Sequence, residues 1–193
     1  VKAGANYNLG PRSNVFLNLG YLSKVRSYRY FYQGYTTNFA DELDNELIKA
    51  IEGGYTYASP RISLFVNLYY TRWENKPTNR VYSTYNLQDG DPGYIPDDPD
   101  SNNDKRVYAD IPGMDARHMG VELDFIYKIL HNLDFQGTVS VGDWIWDSYV
   151  EDLQFYLNEG DNINEPVQKV IDFDARGIHV GDAAQAQVGS SMR

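Results

Sequence analysis

Four groups of side chains have the types and spacing to do chemistry. His118 and Glu122 stand four residues apart, so on an extended strand they share one side, where an imidazole and a carboxylate could ligate a metal ion. A metal centre normally takes three or four ligands, and the other histidines, His131 and His179, fall in a turn and in an acidic stretch, so no metal is assigned. Glu52, Glu122 and Asp124 suggest the paired carboxylates of a glycoside hydrolase, but no spacing brings them together. With no nucleophile motif, phosphate loop or dinucleotide fingerprint, no catalytic residue or cofactor is assigned, and the chain is not read as an enzyme. Asp89 to Asp104 supplies carboxylates enough for calcium, yet not in the D-x-[DN]-x-[DN]-G spacing of an EF-hand, and acidic loops are usually just solvated. The fourth group lies in Tyr28-Arg29-Tyr30-Phe31-Tyr32-Gln33-Gly34-Tyr35. There Tyr28, Tyr30, Tyr32 and Tyr35 could stack on a sugar or an aromatic chelate, with Arg26 and Arg29 meeting an anionic ligand. The plainer account is that these rings extend neighbouring strands and pack on other loops; the six residues are the candidate ligand-binding set.

The elements that would position these groups are strands. Val1, Ala3, Ala5, Tyr7 and Leu9 alternate with Lys2, Gly4, Asn6 and Asn8. A Gly10-Pro11-Arg12-Ser13-Asn14 turn leads to Leu17, Leu19 and Tyr21, set opposite Phe16, Asn18 and Gly20. A second hairpin places Ile51, Gly53, Tyr55 and Tyr57, then, after Ala58-Ser59-Pro60-Arg61, Leu64, Val66, Leu68 and Tyr70. A third carries Met119, Val121, Leu123, Phe125 and Tyr127, a turn near Leu130-His131-Asn132, and Leu133, Phe135, Gly137, Val139 and Val141. The alternation blurs at Asp143-Trp144-Ile145-Trp146, predicting a bulge or a strand end. A further strand alternates from Ala184 to the end. Residues 23–45, 75–116 and 143–182 show no sustained period and read as long loops.

Composition narrows the class. No run approaches the roughly 18 apolar residues of a membrane helix, which excludes a helical membrane protein, whereas negative mean hydropathy is neutral toward a barrel. A net charge of −10 argues against nucleic acid, and the absence of cysteine removes disulfides and thiolate chemistry. Tyrosine, 17 of 193 residues, suits strands and the two boundaries of a bilayer. Tight turns alternate with connections of about 20 to 40 residues. That order fits an antiparallel up-and-down transmembrane β-barrel, with short periplasmic turns, long extracellular loops and outward stripes in lipid. Tyr7, Tyr55, Tyr57 and Tyr127 would form one aromatic girdle; Tyr21, Tyr70, Trp73 and, with them, Trp144 and Trp146 the other. The opposite faces carry Asn, Ser, Thr, Gln, Glu and Gly, with Phe65 the main exception, and would line a wet lumen.

The run Asn45-Glu46-Leu47-Ile48-Lys49-Ala50-Ile51-Glu52-Gly53-Gly54-Tyr55-Thr56-Tyr57 resembles the barrel of TonB-dependent outer-membrane receptors, in which an N-E pair opens a strand carrying E-x-G-Y. The Ser-Pro turn and Leu64 to Trp73 continue that likeness, and Gly120 to Phe125 and Val180 to Gln185 are similar to later barrel strands. The resemblance implies a large, plugged barrel of the 22-stranded class that imports scarce nutrients, here an iron chelate, cobalamin or an oligosaccharide. It further implies a Gram-negative outer-membrane location, lipid contact and energy supplied by TonB. Residues 1–193 are then expected to be one piece of a barrel domain, about seven strands from its later part, without plug domain, signal peptide or final strand, since both ends alternate in mid-pattern. A secreted β-sandwich that binds glycan through tyrosines and acidic loops is the alternative.

Overall fold

The computed structural model describes residues 1–25, 44–76, 80–97, 103–111, 113–158, 165–181 and 184–193. In chain order its strands are β1 (Lys2–Gly10), β2 (Ser13–Lys24), β3 (Glu46–Ala58), β4 (Ile62–Lys76), β5 (Val81–Asn86), β6 (Asp104–Ala109), β7 (Met114–Leu130), β8 (Leu133–Trp146), β9 (Tyr149–Leu157), β10 (Pro166–Asp174) and β11 (Ala186–Met192). All described pairings are antiparallel, and no helix occurs among the described residues. Seven strands form one sheet in the order β1-β2-β3-β4-β7-β8-β11, an open half-barrel. Three hairpins close at one end of it, and the long connections leave from the other. The β3–β4 turn is tied by Ser59, whose backbone N–H donates to the Ile62 carbonyl at 2.8 Å and whose Oγ accepts the Ile62 N–H at 3.0 Å.

Register converts alternation into two faces of unlike chemistry. Leu17, Gly53, Leu68, Val121, Val141 and Ala186 stand side by side as one cross-strand row. The next row toward the long connections is Leu19, Ile51, Tyr70, Met119 and Asp143. The apolar members stay open: Leu68 is 55% exposed, Val121 44% and Val141 55%. Tyr7, Tyr127, Tyr21 and Tyr70 border this belt and are themselves exposed. The strands outrun the 9 to 11 residues of a bare membrane crossing, reaching 15 residues in β4 and 17 in β7. The extra length lies beyond the belt, where outward positions become Lys49, Arg72, Glu74, Asp115 and Arg117.

Two corrections concern the long connections. Residues 75–116 and 143–182 are not structureless: they hold β5, β6, β9 and β10, which pair as a second, four-stranded sheet in the order β10-β9-β6-β5. The hydrophobic core of the described chain belongs to this sheet, built from Leu87, Val107, Ala109, Leu153, Phe155, Leu157 and Val167, with Met114 at the start of β7. Of the two alternatives at 143–146, the strand end holds, since β8 stops at Trp146, and the bulge does not, because β8 stays in continuous register with β7 from Ala116↔Trp146 to Lys128↔Asp134. The alternation only looked broken there because both faces turn aromatic or charged where the strands leave the apolar belt.

Candidate functional site

The concave face begins with polar pairs and ends in an aromatic collar. Near its middle Asn67 on β4 donates through Nδ2 to Glu122 Oε2 on β7 at 3.2 Å. Phe16 and Phe65 stack at 5.8 Å across Gly54, where a Cβ would stand 2.4 Å from the Phe16 ring and from the Val66 carbonyl. Toward the long connections Trp73, His118 and Trp144 come together from three adjacent strands. His118 stacks on Trp144 with ring centroids 5.7 Å apart and meets Trp73 edge-on at 6.2 Å. Trp144 Nε1 donates to the Tyr69 hydroxyl at 2.8 Å. Gly120 and Gly142 make room for that bridge, since a Cβ on either would stand under 3 Å from Tyr69 Oη. Lys76 Nζ sits 4.2 Å above the Trp73 ring and 5.4 Å from that of Trp146, a cation held by two π faces. Gln185 Oε1 accepts the Trp144 backbone N–H at 2.9 Å.

This collar corrects the aromatic girdle. Trp73 is an odd number of residues from Leu68, and pairs with Ala116 and through it with Trp146, so all three tryptophans point inward. Tyr21 and Tyr70 keep the outward positions. Trp73 Nε1, His118 Nε2 and Gln185 Nε2 are buried with no hydrogen-bond partner among the described residues, concentrating unmatched polar nitrogens at one level of the concave face. The half-buried rings of Trp73, His118 and Trp144 can stack on a planar or pyranose ring.

The other sequence candidates separate. Arg26, Tyr28, Arg29, Tyr30, Tyr32 and Tyr35 lie outside the described residues. His131 occupies the β7–β8 turn, and His179 lies 3.7 Å from Asp143. Among the described residues no three His, Cys, Asp or Glu side chains gather as a metal site. Glu52 and Glu122 both face inward but have β4 between them, roughly 10 Å of sheet. In the acidic segment Asp91 is structural. Its carboxylate accepts the Gln88 N–H at 2.7 Å and the Gln168 N–H at 2.6 Å, pinning the turn after β5 to β10.

The far side of the small sheet is a tyrosine and arginine layer. Tyr108 stacks on Tyr156 at 5.8 Å, the Arg80 guanidinium lies 3.8 Å over Tyr108, and Arg80 Nε donates to Asp110 at 2.8 Å. Burial pushes the Tyr108 phenol above its ordinary range. At the exposed end of β10, hydrogen bonds from Arg176 hold the Asp174 carboxyl down at about 2. Sequence reasoning missed this layer and the collar, although the odd spacing from Leu68 to Trp73 carried the signal for the latter.

No family model matches the chain, and no curated protein does. Among solved structures, the copper transporter OprC is similar over 99% of this chain and 30% of its own, with a TM-score of 0.51 and 12% identity. The chain therefore spans 30% of the length of that structure. At such identity the likeness concerns the fold alone: an all-β chain of antiparallel strands whose larger sheet curves as part of a barrel.

Proposed function

We propose that residues 1–193 form part of the transmembrane barrel of a TonB-dependent uptake receptor in a Gram-negative outer membrane, with no enzymatic activity of their own. The carrying observation is the seven-stranded sheet without a core: its rows of Leu, Val and Met lie open on one face, tyrosines border them, and polar and aromatic side chains cover the other. Exposed apolar area of this extent suits hydrocarbon, not water. Further strands would pair the free edges of β1 and β11 and close the barrel. A secreted sandwich would press the Leu17, Leu68 and Val141 row onto a second sheet, whereas the four-stranded sheet here buries residues of its own strands. TonB would act through a part of the protein outside this chain.

The ligand class favoured is an oligosaccharide or an aromatic chelate, met first by the long connections and then by the collar of Trp73, His118 and Trp144. Copper, named for the structural neighbour, is not favoured, because His118 stacks among aromatic rings and among the described residues no three His, Cys, Asp or Glu side chains gather as a metal site. Residues 1–193 contain no cysteine, so a single cysteine placed among them has no competitor within this segment. Spin labels at positions 68, 121 and 141 of the full-length protein in a bilayer are expected to relax with dissolved oxygen, and labels at 67, 122 and 140 with a water-soluble nickel complex. Identical behaviour of both sets rules the reading out. Trp144→Ala is expected to weaken capture of a cognate ligand by about tenfold, the scale of one lost stacking contact.

A further inference from the structure

We propose that the aromatic collar binds a ring that carries a carboxylate, whether an acidic sugar or an aromatic acid, and that Lys76 is the residue that reads the charge. The inference rests on the reading that the collar captures the ligand, and it adds to that reading the ligand's charge and the side chain that recognises it.

Lys76 reaches the concave face only because β4 breaks its alternation. Trp73 pairs with Ala116 and Lys76 with Met114, so β4 takes three steps where β7 takes two. The extra residue makes a β-bulge, which re-aims the side chains beyond it. Regular pairing would set Asn75 opposite Met114 and turn Lys76 outward with Arg72 and Glu74. Instead Asn75 adopts a φ of 55°, a left-handed conformation that asparagine tolerates better than most residues. Two hydrogen bonds fix it there: its N–H donates to Asp115 Oδ1 at 3.1 Å, and its Nδ2 donates to the Asn45 carbonyl at 3.3 Å. Lys76 then shares the inward face with Trp73 and Trp146, whose ring centroids lie 4.2 and 5.4 Å from its Nζ.

No carboxylate answers this ammonium among the described residues, because the acids around it are engaged elsewhere. Glu46, at the same level of β3, is buried against Lys24 at 3.3 Å. Glu74 is held by Lys49 and Arg72, and Asp115 and Asp147 by Arg72, all on the outward side. The inward acids Glu52 and Glu122 stand at the levels of Tyr69 and Asn67, about 13 and 20 Å down the strand from Trp73. The two tryptophan faces attract the cation but leave its charge uncancelled. In a chain of net charge −10 the collar is thus a local positive spot, half-buried, where an added charge pair is screened less than in open water. Its reach also fits a ring acid. Trp73 lies 4.2 Å from Nζ and the His118 centroid 6.2 Å from that of Trp73, so one six-membered ring set against the collar brings a carboxylate substituent to the ammonium.

The test is calorimetric titration of the full-length protein in mild detergent with two matched pairs of probes: trigalacturonate and its methyl ester, salicylate and salicylamide. Wild type is expected to bind one of the acids about tenfold more tightly than its neutral counterpart, the scale of one charge-assisted hydrogen bond, and the pair that shows the preference identifies the source of the ring. Lys76→Gln should remove the difference while leaving the neutral counterpart unchanged, and Lys76→Arg should keep most of it. A lysine that only props up the tryptophans would instead, when replaced, weaken acid and neutral forms alike. Absence of an acid preference in wild type, an intact preference in Lys76→Gln, or equal weakening of both forms overturns the proposal. Trp144→Ala separates the two levels. Weaker binding in Trp144→Ala with no acid preference in wild type sinks the role of Lys76 alone, whereas wild-type binding of every probe by Trp144→Ala sinks the collar reading with it.

Discussion

Arginine placed along the outward stripe of β4 should cost stability in proportion to depth. The outward positions are Ile62, Leu64, Val66, Leu68 and Tyr70, with the charged Arg72 beyond. Each step of two residues advances about 6.6 Å along the strand, or about 5 Å of depth at a tilt near 40°. Ile62 to Tyr70 then spans about 20 Å, which puts Val66 at the midplane and Leu68 about 5 Å above it. Val66→Arg should cost about 3 kcal/mol, Leu68→Arg about 2, and Tyr70→Arg about 1 or less, because the guanidinium approaches water and phosphate as it rises. Loss of packing adds little at Leu68, which is 55% exposed. Asn67→Arg points the same charge inward beside Glu122 and should cost under about 1 kcal/mol. Guanidinium unfolding of the full-length protein in lipid vesicles, followed by tryptophan fluorescence, measures all four. A cost at Asn67 equal to that at Val66, or no gradient from Val66 to Tyr70, would refute the assignment of faces.

Other consequences follow from single contacts. Gly54→Ala should destabilise by about 1 to 3 kcal/mol, because its Cβ would strike the Val66 carbonyl, whereas Gly53→Ala should be nearly silent in the same unfolding assay. Asp91→Ala removes the acceptor of the Gln88 and Gln168 amides, so hydrogen exchange at both should accelerate while amides in β3 and β4 stay protected. Arg176→Gln should raise the Asp174 carboxyl from about 2 toward its ordinary range in an NMR titration. Since the folded value is the depressed one, the contribution of this pair is complete above the ordinary carboxyl pKa. It fades as pH falls toward 2 in wild type and is absent from the variant.

The seven strands of the larger sheet were readable because each obeys a period of two with one face apolar and the other polar. β5, β6, β9 and β10 were not, although Leu153, Phe155 and Leu157 alternate. They are short, six to nine residues, and set among Asp, Asn, Gly and Pro. Their pairing is also remote in sequence, as Val107 opposite Leu157 illustrates. Local composition then reads as loop, while the stabilising burial comes from a partner that no local window contains. Aromatic character at strand ends suggests an outward place for Trp73, Trp144 and Trp146, whereas parity counted from Leu68 and Val141 places them inward.

Which residues alternate, and hence which side of each strand is greasy, is legible in the chain alone, because side-chain direction in an extended chain is a local property of the backbone. Which strands lie side by side emerges only from the folded chain. That choice made two acidic connections into a sheet with its own core, and brought Trp73, His118 and Trp144 from three strands into one collar. Cross-strand register is set by hydrogen bonds and packing between segments far apart in the chain, so no period within one segment can specify it.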